Sequence, residues 1–364
     1  MLDGLLNGVA SRVDSAVTQV IVRGHRWARR VEDLPPDDPE RLGPEERIER
    51  LEAMAPLYSD ARLLSEPDLF FPPGRPEHLE QEELGRFLGV GRCVDWTWES
   101  HHGCVTPGLA DTWGACAQNR KAAARLFLHG DRPRPTAILV HGYLGGSWAF
   151  ETRVWPIPWL FRAGLDVALA VLPHHGVRAP AGHRGAPAFP GSDPRHTVEG
   201  FRQAIGDVRA LLELLQTEMR SPAVGVMGMS LGGYTAALLA TVEERLAFCV
   251  PLIPLADLPD AIRLQGRFNG TPVQMAAQEA AMRRVLVPVS PLSRRSRVAP
   301  ERVRVVAAEG DGITPLEHGR AIASHMGAEL KTFVGGHLLQ FGRAEPWREV
   351  GRMLGGLGLL EPRH

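Results

Sequence analysis

The feature that most constrains this chain is a ten-residue stretch, Val224 to Gly233, reading VGVMGMSLGG. An apolar, β-branched strand runs into a serine held between glycines, and Tyr234–Ala240 then reads as a helix. A backbone passes from strand to helix this abruptly only where neighbouring side chains are absent. Any Cβ beside the turn would strike the adjacent strand or helix. The same spacing also suits a plain glycine-rich turn, so its meaning depends on what surrounds it.

The surroundings alternate strand with helix. Cys93–Glu99 and Ala123–His129 read as antiparallel strands, and Thr136–Val140 as a buried strand ending at His141-Gly142. Strands Asp166–Leu172, Ala223–Met227, Leu246–Pro251, Val303–Ala308 and Glu329–Val334 follow. Between them Thr197–Gln216 carries Phe201, Ile205, Val208, Leu211, Leu212 and Leu215 at helical spacing. Such alternation argues an α/β fold, a mostly parallel central sheet flanked by helices. With 364 residues the chain suffices for one large α/β domain or two modest ones. Residues 93–364 read as the catalytic domain, with a proline-interrupted lid insert at about 257–300. Residues 1–92 read as a helical, proline-rich N-terminal extension, with a helix starting at Pro44. Within it Leu2, Leu5, Leu6, Val9, Val13, Val17, Val20 and Ile21 recur at helical spacing before a basic stretch at Arg23, Arg26, Arg29 and Arg30. That stripe suits a helix packed on the catalytic domain, on a second subunit, or peripherally on a membrane surface.

In open α/β sheets chemistry gathers at the carboxyl ends of strands. His141, His174, Ser230, Asp257, Asp311 and His337 each follow a predicted strand. Gly228-Met229-Ser230-Leu231-Gly232 fits G-x-S-x-G, with the strand before and helix after that a nucleophile elbow requires. A serine hydroxyl attacks only when a base takes its proton. His337, in Gly-Gly-His-Leu after the final strand, is the expected base. Asp311, in Glu-Gly-Asp-Gly-Ile-Thr-Pro, is the expected acid that orients it, with Asp257 as the rival. The loop His141-Gly142-Tyr143-Leu144-Gly145-Gly146 is placed to supply the Tyr143 amide to an oxyanion hole, opposite the Leu231 amide. His141 reads as a residue pinning that loop.

HGYLGG, GMSLGG, EGDGITP and GGH, in that order over roughly residues 93–355, resemble the α/β-hydrolase fold superfamily. The resemblance implies Ser230 as nucleophile, Asp311 as acid, His337 as base, and Tyr143 with Leu231 as oxyanion donors. It implies no metal and no organic cofactor. Pro173-His174-His175-Gly176, with Pro180, Gly185 and Gly191, is similar to a poorly characterised bacterial subgroup of esterase- and lipase-like members. That subgroup is distantly similar to a eukaryotic group associated with phospholipid deacylation. His174 and His175 either line the pocket or form a core or solvated pair. No third ligand at metal-binding spacing accompanies them.

Trp148, Phe150, Trp155, Trp159 and Phe161 cluster after the oxyanion loop. Leu144, Trp148, His174 and His175 are the expected pocket lining, unless the rings pack into the core. Apolar walls under a lid favour a small-molecule ester with an apolar or lipid-like acyl group. A thioesterase, an acyltransferase and a catalytically silent interaction protein share the same pattern. A formal charge of −1 offers no basic field for nucleic acid. Four cysteines without a C-x-x-C pair read as reduced thiols. The expectation is a cytoplasmic protein, with peripheral membrane contact or self-association through residues 2–30 left open.

Overall fold

The computed structural model describes residues 2–28, 41–183 and 185–361. Nine strands build one sheet: β1 (Glu80–Phe87), β2 (Gly91–Glu99), β3 (Lys121–Leu128), β4 (Thr136–Val140), β5 (Asp166–Ala170), β6 (Val224–Met229), β7 (Leu246–Leu252), β8 (Arg304–Ala308) and β9 (Glu329–Phe333). Their order is β1-β2-β3-β5-β4-β6-β7-β8-β9. The pairings from β1 through β3 to β5 are antiparallel, and those from β5 through β4 to β9 are parallel. β4 and β5 are buried along their whole length, as a sheet covered on both faces requires.

The helices that flank the sheet and support the site are α1 (Leu2–Ala28), α2 (Pro44–Met54), α3 (Trp148–Val154), α4 (Ile157–Arg162), α5 (Pro194–Thr217), α6 (Leu231–Ala240), α7 (Leu258–Leu264), α8 (Pro272–Leu286), α9 (Leu316–Met326) and α10 (Ala344–Gly356). One apolar core, with Trp96, Leu126, Ile138 and Val140 from the sheet, takes in α2, α5, α6, α8 and α9. A second, with Phe127, Leu139, Val167 and Phe248, takes in α4 and α10. α5 starts where Asp193 accepts the Arg195 amide at 2.9 Å and Pro194 sits in the first turn. Its buried charges are paired: Glu199 with Arg202 at 2.7 Å, and Arg209 with Glu243 at 3.0 Å.

Three places depart from the sequence reading. The sheet already takes in β1, within the stretch read as extension; β1 is a charged edge strand exposed at nearly every position, so no apolar alternation marks it. α8, in the insert, packs against α2, and its Met282, Val285 and Leu286 share the first core with Leu51 and Met54 of α2. Arg284 pairs with Glu52, and Arg47 donates to the Arg267 carbonyl at 2.9 Å. Finally, only part of the apolar stripe of α1 faces the protein: Leu6, Val13 and Val17 are half-buried, and Val9 is exposed. Leu2 and Leu5 are 67% and 65% exposed, whereas Ala10 and Asp14 are fully buried. Val20, Ile21 and the arginines beyond them lie outside the described side chains. α1 lies across the loops that follow β8 and β9.

Candidate active site

Ser230 sits between β6 and α6 with φ 57° and ψ −113°. This sparsely populated conformation costs on the order of 1–3 kcal/mol and persists only where the surroundings enforce it. They do so through backbone bonds: the Ser230 amide donates to the Leu252 carbonyl at 2.9 Å, and the Ser230 carbonyl accepts from Tyr234 at 3.0 Å. The flanking glycines are obligatory. A Cβ on Gly228 would lie 1.9 Å from the Gly232 carbonyl oxygen, and one on Gly232 would lie 2.0 Å from that of Val140. Ser230 offers α6 no side-chain cap, so the first amides of that helix, Leu231 among them, have no intrahelical acceptor.

The loop after β4 comes up beside this serine. A Cβ on Gly142 would sit 3.8 Å from Ser230 Oγ. Two buried side chains hold the loop. His141 is fully used: Leu172 N donates to its Nε2 at 3.0 Å, so Nδ1 carries the proton and donates to the Gly142 carbonyl at 2.8 Å. Burial lowers its pKa to about 4, keeping the ring neutral. Glu151 at the start of α3 accepts the Gly146 amide at 2.9 Å and Trp155 Nε1 at 3.1 Å. Burial pushes the Glu151 pKa up. Nothing in the sequence pattern had marked Glu151; only its spacing to Trp155, four residues on along the same helical face, hints at a clamp.

Asp311 and His337 meet across the ends of β8 and β9. His337 Nδ1 and Asp311 Oδ2 are 2.8 Å apart. Asp311 Oδ1 accepts the amides of Ile313 and Thr314 at 2.8 and 2.7 Å, which fixes the carboxyl group. The Thr314 hydroxyl lies 3.0 Å from Asp311 Oδ2, from His337 Nδ1 and from the Ile253 carbonyl, tying the pair to the strand beside the elbow. For His337, burial works to lower the pKa. The charge of Asp311, its hydrogen bond and the charge of Asp14 outweigh burial and raise it above the ordinary 6.5. Among the described residues the Ser230 hydroxyl makes no hydrogen bond to His337, a bond that often tightens only with substrate bound.

Asp257, the rival acid, takes Arg283 as its partner instead, with Nε to Oδ2 at 3.0 Å. Of the expected pocket residues, Leu144 is half-exposed with φ 66°, on the loop beside Ser230. His174 and His175 are buried. His174 bonds Asn119 at 3.1 Å and stacks edge-on against Trp113, and burial lowers its pKa to about 4. His175 is held by the Pro173 carbonyl at 2.8 Å, and burial lowers its pKa well below 6.5. Trp148 lies under the Arg125 guanidinium, whose Cζ is 4.9 Å from the ring centroid, and packs on the second core. Trp155 and Phe161 are buried in that core, with Trp159 against it. The aromatic run after the oxyanion loop is thus mainly helix-to-sheet packing, because α3 and α4 need large rings to fill the space over the sheet face. Among the described residues no group of three or more His, Cys, Asp and Glu is arranged to hold a metal ion.

The chain is 32% identical over 325 residues to a Mycobacterium tuberculosis protein called Uncharacterized protein Rv2627c, covering 84% of this chain and 74% of that one. The chain belongs to the Rv2627c family. It is also 28% identical over 151 residues to the Hydrolyase poxO of Penicillium oxalicum, which spans 40% of this chain and 33% of that protein. No family model matches. Among solved structures it resembles acetyl xylan esterase 1 from Thermoanaerobacterium, with TM-score 0.56 and 15% identity over 90% of this chain and 99% of that one. An acetyl xylan esterase from Paenibacillus gives TM-score 0.54 and 16% identity over 90% of this chain and all of that one. At such identities the likeness is one of fold, and the fold of this Rv2627c-family member is that of the α/β-hydrolases. No helix among its described residues is long and apolar enough to cross a membrane.

Proposed function

We propose that this chain is a serine hydrolase that cleaves carboxylic esters through an acyl-enzyme. The observation that carries the reading is the Asp311–His337 pair at 2.8 Å, set at the same carboxyl end of the parallel strands as a serine in a strained strand-to-helix turn. Asp311 holds the Nδ1 proton of His337, which leaves Nε2 to accept the proton of Ser230. Ser230 Oγ attacks the ester carbonyl, and the oxygen that becomes negative takes the amides of Leu231 and Tyr143. The intermediate collapses as His337 returns the proton to the departing alcohol. Water, deprotonated in turn by His337, then releases the acid and restores Ser230. No cofactor enters these steps.

For the acyl group we propose an apolar chain. Leu144 on the oxyanion loop and Leu338 beside the base are both about half-exposed, which suits an apolar rim at the site. The test combines fluorophosphonate labelling with a nitrophenyl ester series from acetyl to decanoyl. Labelling mapped to Ser230, lost in Ser230→Ala, is expected. Rates that peak beyond acetyl support the apolar acyl group, and a series that falls steadily from acetyl removes it. A preference for matched thioesters, or product transfer to added alcohols, moves the reading to thioesterase or acyltransferase on the same residues.

A further inference from the structure

α1 carries one fully buried carboxylate, that of Asp14. A carboxylate taken out of water needs partners. Asp14 has three, all backbone amides from the two loops that carry the acid and the base. Its Oδ2 accepts from Gly312 at 3.1 Å and from His337 at 2.7 Å, and its Oδ1 accepts from Leu338 at 3.0 Å. Two turns earlier on the same helical face, Asn7 repeats the pattern. Its Oδ1 accepts the Gly335 amide at 2.7 Å and its Nδ2 donates to Glu309 at 3.0 Å.

The glycines of the two motifs fit this contact. A Cβ on Gly336 would lie 2.4 Å from Asp14 Oδ2, and one on Gly310 would lie 2.5 Å from the Asn7 carbonyl oxygen. A Cβ on Gly312 would lie 3.1 Å from that of Asp14. Neither Gly336 nor Gly310 has a positive φ, so the turns themselves do not demand glycine there. Their smallness seats the helix.

We propose that Asp14 is a positioning residue of the hydrolytic site, whose carboxylate fixes the backbone of the base His337 relative to the loop of the acid Asp311. This rests on the serine-hydrolase reading and adds a helix some three hundred residues away in sequence to its machinery. A shared acceptor is suited to the task, because a general base must be held to within a fraction of an ångström of its working geometry. The charged groups facing the His337 ring are two: Asp311, from the loop after β8, and Asp14, from α1. Burial of the ring opposes both of them.

The test uses the full chain with Asp14→Asn and Asn7→Ala. Asp14→Asn removes the charge and turns an NH2 toward amides that need an acceptor. It is expected to lower kcat roughly 10- to 100-fold, to leave KM nearly unchanged, and to move the rising limb of the pH–kcat profile to lower pH. Hydrogen exchange at the amides of Gly312, His337 and Leu338 is expected to quicken. Asn7→Ala keeps the charge, so it is expected to lower kcat less and leave the limb in place. Wild-type kcat, or a loss of kcat with the limb and the exchange unmoved, overturns the role of Asp14 while leaving the hydrolase reading intact. Should Asp14→Asn fail to fold, Asn7→Ala at full wild-type kcat overturns the proposal. A wild-type chain that neither labels nor turns over esters overturns the hydrolase reading, and the catalytic role of Asp14 with it; the exchange data then still report whether the carboxylate orders the loops.

Discussion

The proposed nucleophile and its proposed base are built in opposite ways. The turn at Ser230 is set mostly by neighbours in sequence: β6 before it, α6 after it, and Gly228 and Gly232 that let the backbone fold back on itself, with the Leu252 carbonyl of the adjacent β7 accepting the Ser230 amide. His337 is held by residues far away, Asp311 on one side and Asp14 on the other. The elbow is a local conformational device, and the acid–base pair is a tertiary one. A short motif can therefore announce the first. The second depends on the whole chain having folded.

The comparison can be broken from either end. Ser230→Ala is expected to remove activity by about 10⁶-fold while the protein stays folded, measured by ester turnover alongside circular dichroism. Asp311→Asn is expected to cost about 10⁴-fold, since the wrong tautomer of His337 then faces the serine. A loss no larger than that of a surface substitution would remove Asp311 from the acid role. Gly336→Ala tests the tertiary side: its methyl group intrudes on Asp14, so kcat is expected to fall roughly 10-fold and α1 to exchange faster, with Ser230 still reactive toward fluorophosphonate. Asp257→Ala breaks only the bond to Arg283 and is expected to change kcat by less than about twofold. The pH profile sharpens the same contrast. His337 acts as base only when neutral, and its pKa is raised, so activity is expected to rise with pH through a midpoint above 6.5. A midpoint below 6.5 would mean that burial outweighs the two carboxylates.

How far the sequence could be read follows the same division. β4 to β8 and α5 were legible because buried parallel strands read as short continuous apolar runs and an amphipathic helix carries strong periodicity. Ser230, Asp311 and His337 stood out because each follows a strand in a glycine-rich turn. β1 was not legible, since EQEELGRF is an exposed edge with charges on both faces. Trp148 was read toward the pocket because chain proximity to the oxyanion loop is visible, whereas the sheet face it turns to is not. α1 misled most instructively. Its apolar stripe is split, with Leu2 and Leu5 facing outward and Leu6, Val13 and Val17 half-buried, and the helix docks through Asn7, Ala10 and Asp14. A polar face is buried when it finds backbone groups to bond, and hydropathy alone has no record of those.

The seating of α1 also sets an order of events during synthesis. Asp14 leaves the ribosome well before its partners, Gly312 and His337, which follow 298 and 323 residues later. The elbow can close once β6, α6 and β7 have emerged. Ser230 is then in its turn long before the Asp311–His337 pair can form. On the proposed reading, nucleophilic power is expected only when β9 joins the sheet and α1 closes over it, so the growing polypeptide would carry a serine not yet able to attack an ester.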